Sequence, residues 1–487
     1  MEIYVLTYLF MNSFNFIIFY DKINDKYKEE LFMYQEYVWK KYEGKDLKAM
    51  HDFNEDYKVF ISKGKTERLC VKEAIKLCEK AGFKNLANMT NLKSGDKVYA
   101  VNKNKNIAAF VIGDEPLTTG LAILGAHIDS PRLDLKQNPL YENNTLVYLD
   151  THYYGGIVKY QWVTRPLALY GVVVKKDGTV IDIQIGEDEK DPVVGITDLL
   201  PHLAAEKMQK TAAKVIEGEA LDLLIGSAPL KNTEKDASKA TILKLLKEKY
   251  DIEEEDFVSA EIEVVPAGSA RDYGLDRSMV AGYGHDDRVC AYTSLKALLD
   301  TPKTKRTTCA VLVDKEEIGS VGATGASSVW FENVIADLIN LTTDYSDLKL
   351  KKALTNSVML SSDVSAGFDP LYPSVMESRN TAYLGKGICF NKYTGSRGKS
   401  GCNDAQPEFI AHLRKIMDED KINYQTSELG RVDQGGGGTI AYILAKYNMN
   451  VIDAGIAVLS MHAPMEIVSK ADVYEAYLAY KTFLAKA

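Results

Sequence analysis

Several patterns that mark particular protein classes are missing from this chain of 487 residues. Its six cysteines form no CxxC pair, and Cys309 lies within an apolar run, so free buried thiols in a reducing cytosol are expected. The net charge of −9 leaves no basic stripe to neutralise phosphates, which argues against a nucleic-acid partner. The sequence also lacks an HExxH zinc motif and a GxxxxGK[ST] phosphate loop.

The N-terminal residues 3–20 are mostly apolar and aromatic, yet they match neither a signal peptide nor a membrane span. The only charged residue ahead of the run is Glu2, whereas a signal peptide begins with positively charged residues. Four polar residues interrupt it, and a membrane helix needs about 18 or more uninterrupted apolar residues. We therefore expect no membrane partner and a poorly defined extension over residues 1–32, with Met33 as an alternative start. A weakly membrane-associating segment is the other interpretation.

The rest of the chain has an ordinary globular composition, and its length predicts two domains. Strand-like and helix-like segments alternate over residues 33–136 and 276–487, and a single strand is predicted over residues 451–459. This alternation predicts an α/β domain with a mostly parallel sheet flanked by helices. Residues 137–275 are β-rich and include two strand-like runs joined by Asp177-Gly178, a pair typical of hairpins. We predict that 137–275 forms an inserted second domain.

Acidic and histidine side chains stand where the predicted strands end, or on loops close by. These residues are His127, Asp286, Glu316, Glu317, Asp363 and His462. Taken singly they are weak signals, since Asp286 also suits a helix N-cap and Asp363 a turn. The carboxyl ends of parallel strands meet at one edge of a sheet, so the groups can converge. Two adjacent glutamates after a buried strand are costly unless a cation neutralises them, which points to a metal site.

The chain resembles the aspartyl aminopeptidase family in five motifs: GAHIDSPRLDLK (125–136), GHDDRVCAYTSLKAL (284–298), DKEEIGSVGATGA (314–326), SSDVSAGFDP (361–370) and VLSMHAPMEI (458–467). The resemblance extends from about residue 35 to the C-terminus and preserves motif order and spacing. Members of that family are di-zinc exopeptidases with an α/β domain and an inserted dimerisation domain. The resemblance implies a cytoplasmic homo-oligomer, with a dodecamer built from dimers as one closed form.

The resemblance further implies two zinc ions in each subunit. His127 and Asp363 would hold one ion, Glu317 and His462 would hold the other, and Asp286 would bridge both. Nitrogen and oxygen ligands of this kind suit zinc, and also cobalt or manganese. A bridging carboxylate holds two metals at about 3.5–4 Å, a separation that allows both to activate one water.

Three further residues acquire roles from the same resemblance. Glu316 would act as general base and pass the proton of water to the leaving amine. Asp129 would accept a hydrogen bond from the His127 ring and fix its tautomer. His202 would stabilise the oxyanion in a neighbouring subunit, or it is a plain surface residue. Asp287 is the alternative bridging residue, because this chain has Asp-Asp-Arg where many eukaryotic members have Asp-Asn-Leu.

The predicted function is removal of the first residue from peptides with a free N-terminus, with a preference for Asp or Glu. A net charge of −9 would not attract such substrates, so a local cationic pocket is needed. Lys392, Arg397 and Lys399 are candidates for it, or they form an exposed basic loop. Gly435–Gly438 suits close backbone approach to substrate or tight packing. The alternatives are another di-metal amidohydrolase, such as a carboxypeptidase or deacylase, and a non-catalytic assembly protein.

Overall fold

A computed structural model describes residues 37–487, so the predicted extension over residues 1–32 lies outside the described part. The α-helices are α1 (Gly44–Lys63), α2 (Glu67–Lys80), α3 (Ala212–Val215), α4 (Ala237–Tyr250), α5 (His285–Asp300), α6 (Trp330–Thr342), α7 (Asp347–Thr355), α8 (Pro407–Glu419), α9 (Ala441–Ala445) and α10 (Lys470–Lys486). The strands are β1 (Lys84–Asn85), β2 (Lys97–Asn102), β3 (Asn106–Val111), β4 (Leu121–His127), β5 (Arg132–Asn143), β6 (Leu146–Tyr154), β7 (Leu167–Val174), β8 (Val180–Ile185), β9 (Leu223–Gly226), β10 (Ala260–Pro266), β11 (Arg271–Tyr273), β12 (Met279–Gly282), β13 (Thr307–Val313), β14 (Val358–Ser361), β15 (Ser365–Ala366), β16 (Ile388–Asn391), β17 (Tyr424–Thr426), β18 (Asn450–Gly455), β19 (Ala457–Leu459) and β20 (Glu466–Ser469).

The largest sheet has nine strands in the order β1-β2-β3-β13-β4-β14-β18-β16-β17. Its central strands β13, β4, β14 and β18 are parallel. Side chains of β4 alternate between two apolar cores: Ala122 and Leu124 face one, and Leu121 and Ile123 face the other. Helices α1, α2, α5, α8 and α10 pack on the first side, and α6, α7 and α9 on the second. The predicted α/β fold is confirmed.

The second sheet is antiparallel throughout, in the order β8-β7-β10-β5-β6-β9. Its strands all lie between Arg132 and Pro266, and they enclose a separate apolar core that includes Trp162. The predicted hairpin joins β7 to β8, with Gly178 at φ 88° and its N–H bonded to the carbonyl of Lys175. Strand β5 begins ahead of residue 137, and the domain limits at 137 and 275 stay a prediction.

A third sheet, β11-β12-β20-β19-β15, corrects one expectation. The single strand expected over residues 451–459 is two strands in different sheets, β18 and β19. They separate after Gly455, where a Cβ atom would lie 1.8 Å from the carbonyl oxygen of Asp363. Only glycine allows that approach, so the bend brings the Asp363 backbone against the end of β18.

Across residues 37–487, the structure contains no helix of the length and apolar character that crossing a membrane requires. All six cysteines are unpaired and five are buried, with Cys402 partly exposed. Burial raises the pKa of the Cys70 and Cys78 thiols to about 12, so they are inert at neutral pH. The cytoplasmic location stays a prediction.

Candidate metal centre

Four of the predicted site residues lie where neighbouring parallel strands end. His127 is the last residue of β4, and Asp363 follows β14 closely. Glu316 and Glu317 begin a 3-10 turn, Glu316–Ile318, just after β13. Strand β4 pairs in parallel with both β13 and β14, so these residues come to the same edge of the sheet.

Asp286 and His462 approach this edge from outside the nine-stranded sheet. Asp286 lies in the first turn of α5, where it and Asp287 have non-helical backbone angles. His462 lies on the loop between β19 and β20 with φ at 65°. This left-handed conformation costs a residue other than glycine about 1–2 kcal/mol, so neighbouring contacts must hold it.

These side chains form two groups that share one carboxylate. In each group, one possible ligand atom from every member lies within 4.8 Å of the others. The first group is His127, Asp286 and Asp363, and the second is Asp286, Glu317 and His462. Asp286 Oδ1 lies 3.1 Å from Nε2 of His127, and Asp286 Oδ2 lies 3.2 Å from Nε2 of His462. His127, Glu316 and Glu317 also meet the 4.8 Å distance.

Both histidine rings are held through Nδ1. The Nδ1 atom of His127 is 3.0 Å from the backbone carbonyl oxygen of Asp129, and that of His462 is 3.0 Å from the carbonyl oxygen of Gly156. A carbonyl can only accept, so the neutral ring in each case would be the tautomer with its proton on Nδ1, and Nε2 is the ring atom that faces Asp286. That tautomer is the one a metal-binding imidazole needs.

Asp129 does more than the predicted contact with the His127 ring. Its carboxylate Oδ1 lies 3.4 Å from Nδ1 of His127, and its own carbonyl oxygen lies closer to that atom, at 3.0 Å. The carboxylate also accepts the N–H of Glu316 at 3.1 Å, the N–H of Glu317 at 3.2 Å and the Tyr154 hydroxyl at 2.9 Å. The buried Asp129 side chain therefore anchors the turn that carries both glutamates, while its carbonyl orients the histidine.

The carboxylates are buried at an energetic cost that a cation would offset. Burial raises the pKa of Glu316 to about 7, and it raises the pKa values of Glu317 and Asp363 well above the ordinary range. Repulsion from the neighbouring Asp286 adds to each of these shifts. In the part of the chain described, Asp286 Oδ1 and Glu317 Oε1 are buried without a hydrogen-bond donor. Buried carboxylate oxygens without a donor, close to imidazole Nε2 atoms, are the donor set that zinc takes.

Glu466, which the sequence analysis did not single out, supports the same cluster. It is buried at the start of β20. Its Oε1 accepts the N–H of His462 at 2.7 Å and its Oε2 accepts the N–H of Asp286 at 3.1 Å. A signal was present, because Glu466 follows His462 by four positions within the same motif and opens an apolar strand.

Other candidate residues lie outside the two groups. Asp287 Oδ2 accepts the N–H of His127 at 3.3 Å and joins neither group. His285 Nδ1 lies 2.6 Å from the Tyr57 hydroxyl, and burial lowers the pKa of His285 to about 3. His202 is exposed on the 3-10 turn Pro201–Leu203 and lines a separate cavity formed by the connecting segments between β6 and β9. Within one chain His202 does not reach the site, and its role in a neighbouring subunit stays a prediction.

The cluster opens into a cavity of about 380 Å³. Its wall includes Leu429, Met461 and the loop Gly436–Gly438. The glycines also pack tightly: at Gly435 a Cβ atom would lie 1.7 Å from the Leu429 carbonyl oxygen, and at Gly436 one would lie 2.7 Å from the Cα atom of Ser396. Close packing is therefore required at these positions, and the same loop forms a wall of the cavity.

The basic loop does not supply a cationic wall within one chain. Lys392 and Lys399 place Nζ 3.5 Å and 3.0 Å from the carboxylate of Asp404. Lys399 also lies 3.9 Å from the centre of the Tyr393 ring. No lysine or arginine is among the described residues that line the cavity, so Arg397 does not line it either.

Comparisons with known proteins connect this geometry to a family. The sequence profile described as "Aminopeptidase I zinc metalloprotease (M18)" matches residues 60–484, a range that includes every residue of the cluster. The "Probable M18 family aminopeptidase 1" of Clostridium acetobutylicum is 64% identical over 452 residues, 92% of this chain and 97% of that protein. The corresponding protein of Thermotoga maritima is 45% identical over 450 residues, 92% of this chain and 98% of that protein.

Solved structures share the fold. The crystal structure of aminopeptidase I from Clostridium acetobutylicum matches with a TM-score of 0.87 at 61% identity, covering 92% of this chain and 98% of that one. An M18 aminopeptidase from Thermotoga maritima matches with a TM-score of 0.90 at 45% identity, covering 93% and 99% of the two chains. The S. cerevisiae mApe1 dodecamer matches with a TM-score of 0.71 at 21% identity, covering 88% and 95%, a likeness of fold alone.

Proposed function

Because the chain belongs to the M18 family of zinc aminopeptidases, we propose that the side chains around Asp286 form its catalytic centre and hold two zinc ions per subunit. The chain is thus a zinc-dependent exopeptidase, and the proposal concerns where and how it acts. The observation that carries the proposal is the shared carboxylate: Asp286 directs one oxygen toward each histidine, and each histidine belongs to a separate group of three potential ligands.

In this proposal His127 and Asp363 serve one zinc position, Glu317 and His462 serve the other, and Asp286 serves both. The bound ions would polarise the scissile carbonyl and lower the pKa of the attacking water. Cobalt or manganese would suit the same nitrogen and oxygen atoms. Asp129 keeps Glu316 and Glu317 in place through their N–H groups, and the carbonyl groups of Asp129 and Gly156 keep the rings turned inward.

Glu316 is positioned to move the proton. It lines the cavity but is absent from the two groups that share Asp286. Its Oε2 lies 3.9 Å from Nε2 of His127, and its side chain retains 16% exposure. We propose that the Glu316 carboxylate accepts a proton from water as the water oxygen attacks the carbonyl carbon. The same carboxyl then donates that proton to the leaving amine nitrogen.

The test of this role is Glu316→Gln, which keeps the shape of the side chain and removes its basicity. Loss of a general base costs about 10²- to 10⁴-fold in rate, so kcat should fall by that factor while zinc content stays at the wild-type level. Measured on metal-reconstituted protein, full activity in Glu316→Gln would refute the assignment. Family membership favours an aminopeptidase over a carboxypeptidase, a deacylase or a non-catalytic assembly protein, and a peptide with a blocked N-terminus should accordingly resist hydrolysis.

The family resemblance implies a preference for an N-terminal Asp or Glu. In the described chain, however, no cationic side chain lines the cavity. An acidic substrate side chain would find no lysine or arginine to pair with in this cavity unless a neighbouring subunit contributes one. A panel of aminoacyl p-nitroanilides that compares Asp and Glu with Leu and Ala decides the matter. Within one subunit, the apolar wall at Leu429 and Met461 supports Leu over Asp.

We also propose that the subunits form a homo-oligomer through the inserted domain. Large apolar side chains are exposed there: Leu203 at 68% and Met208 at 72%, close to His202 on the same segment. Exposed apolar patches of this kind mark association surfaces. The dodecamer among the similar structures is that of S. cerevisiae mApe1. Light scattering of wild type, and of a variant with Leu203 and Met208 replaced, would give the number of subunits here.

A further inference from the structure

Glu466 holds together two segments that are distant in sequence, and we infer that it is a positioning residue for the zinc-binding cluster. The inference rests on the function proposed above. One carboxylate accepts the N–H of Asp286 through Oε2 and the N–H of His462 through Oε1. Both bonded residues are proposed zinc ligands, and no other side chain in the part of the chain described binds the backbone of both.

The fold explains why a side chain is needed here. Glu466 opens β20 and pairs with Gly282 at the end of β12, so its position is fixed by the third sheet. From Gly282 the chain continues to Asp286, whose backbone is non-helical although it lies in the first turn of α5. An N–H in that position has no carbonyl partner from a regular helix, and the Glu466 carboxylate accepts it instead.

The loop that carries His462, one of the two segments bound by Glu466, has a strained backbone. Ser460 and His462 both have positive φ, at 58° and 65°, in the short loop between β19 and β20. This conformation is unfavourable for both residue types and persists only where contacts support it. The 2.7 Å bond from the His462 N–H to Glu466 is such a contact. The carbonyl oxygen of Gly156 accepts a hydrogen bond from Nδ1 of the His462 ring. The backbone and the ring of His462 are therefore both held in place.

Zinc affinity is therefore the property that Glu466 should control. Groups that orient metal ligands typically change metal affinity or activity by about 10- to 100-fold when they are replaced. Glu466→Gln preserves the volume but offers one acceptor oxygen in place of two, and its amide nitrogen would face an N–H donor. At least one of the two ligands then loses its anchor, and zinc should bind about 10- to 100-fold more weakly.

The experiment is a chelator competition titration that measures zinc affinity of wild type, Glu466→Gln and a matched control, Glu475→Gln. Glu475 is also buried and accepts from Lys41 at 2.6 Å and from the N–H of Asn423 at 2.5 Å, but it lies in neither ligand group nor the cavity wall. Glu475→Gln should lower the melting temperature of the apoprotein and leave zinc affinity unchanged. Wild-type zinc affinity in folded Glu466→Gln would overturn the inference.

Two further variants keep the result interpretable. Glu466→Asp retains the charge with a shorter reach, so it should show an intermediate zinc affinity, and it replaces Glu466→Gln in the comparison if the latter does not fold. Where Glu466→Asp stands in for Glu466→Gln, wild-type zinc affinity in Glu466→Asp would overturn the inference. His462→Ala removes a proposed ligand outright. If His462→Ala binds zinc like wild type, the proposed function fails; if it binds weakly while Glu466→Gln binds normally, only the positioning role fails.

Discussion

Replacing Asp129 by Asn tests how the glutamate turn is held. The Asp129 carboxylate is buried and accepts three hydrogen bonds, from the N–H groups of Glu316 and Glu317 and from the Tyr154 hydroxyl. An amide can replace only one of its two oxygens as acceptor, so a buried N–H in the turn loses its partner. A lost hydrogen bond to a charged group costs about 1.5–3 kcal/mol, and an unsatisfied buried donor costs about 1–3 kcal/mol.

These terms overlap, so we take about 3 kcal/mol as the loss in transition-state stabilisation. At about 1.4 kcal/mol for each factor of ten, kcat/KM should fall about 100-fold in Asp129→Asn. Tyr154→Phe removes one of the three bonds and leaves both N–H bonds intact, so its loss should be nearer tenfold. The assay is hydrolysis of an aminoacyl p-nitroanilide at saturating zinc, with melting temperature measured in parallel.

Asp472→Asn provides the control for burying an amide in place of a carboxylate. Asp472 is buried, and its two oxygens accept the N–H groups of Gly385 and Gly387 at 2.6 Å and 2.8 Å, outside the cavity wall. It should lower stability without changing kcat/KM. If folded Asp129→Asn retains kcat/KM within twofold of wild type, the Asp129 carboxylate does not position the glutamates and the reasoning is refuted.

Three other perturbations have defined outcomes. Removing metal with a chelator should abolish activity. Zinc at 100 times its dissociation constant should stabilise the apoprotein by about 2.7 kcal/mol for each ion bound, measured in a denaturation curve; an unchanged curve would contradict a zinc site that forms in the folded state. Burial lowers the pKa of His285 to about 3 from its ordinary value of 6.5. Between these two pH values only the unfolded chain takes up the proton, so the free energy of unfolding decreases as the pH decreases. Metal-free wild type should therefore lose about 1.4 kcal/mol between pH 7.5 and 5.5 through this group, and His285→Gln should lack that loss. Gly436→Ala would bring a Cβ atom within 2.7 Å of the Cα atom of Ser396 at a φ of 119°, so it should raise KM by moving the cavity wall; an unchanged KM would show that the loop does not contact substrate.

The sequence was informative where side-chain chemistry follows the strand pattern. His127, Glu316 and Asp363 stand at or just after apolar runs, and parallel strands bring such ends together. The pattern could not show that residues 451–459 split between two sheets, because the segment is apolar on both sides of Gly455 apart from Asp453, and the close approach of Gly455 to the Asp363 carbonyl oxygen is a property of the folded chain. His462 consequently reaches the site from a different sheet than expected.

Anchoring residues were harder to predict because they act through backbone groups. The sequence predicts contact between Asp129 and the ring of His127, but not that the same carboxylate also accepts the N–H groups of the glutamate turn, nearly 190 positions away in sequence. Glu466 binds the N–H of Asp286 across a separation of 180 residues. Which N–H groups lack a partner is a property of the folded backbone, so no spacing rule in the sequence reveals these contacts.

The central claim is that Asp286 is shared by two zinc ions. Anomalous diffraction at the zinc edge, recorded from crystals of zinc-loaded protein, tests it most directly. We expect two anomalous peaks per subunit. One should lie beside His127 and Asp363 and the other beside Glu317 and His462, with Asp286 between them. A single peak, or peaks away from Asp286, would contradict it.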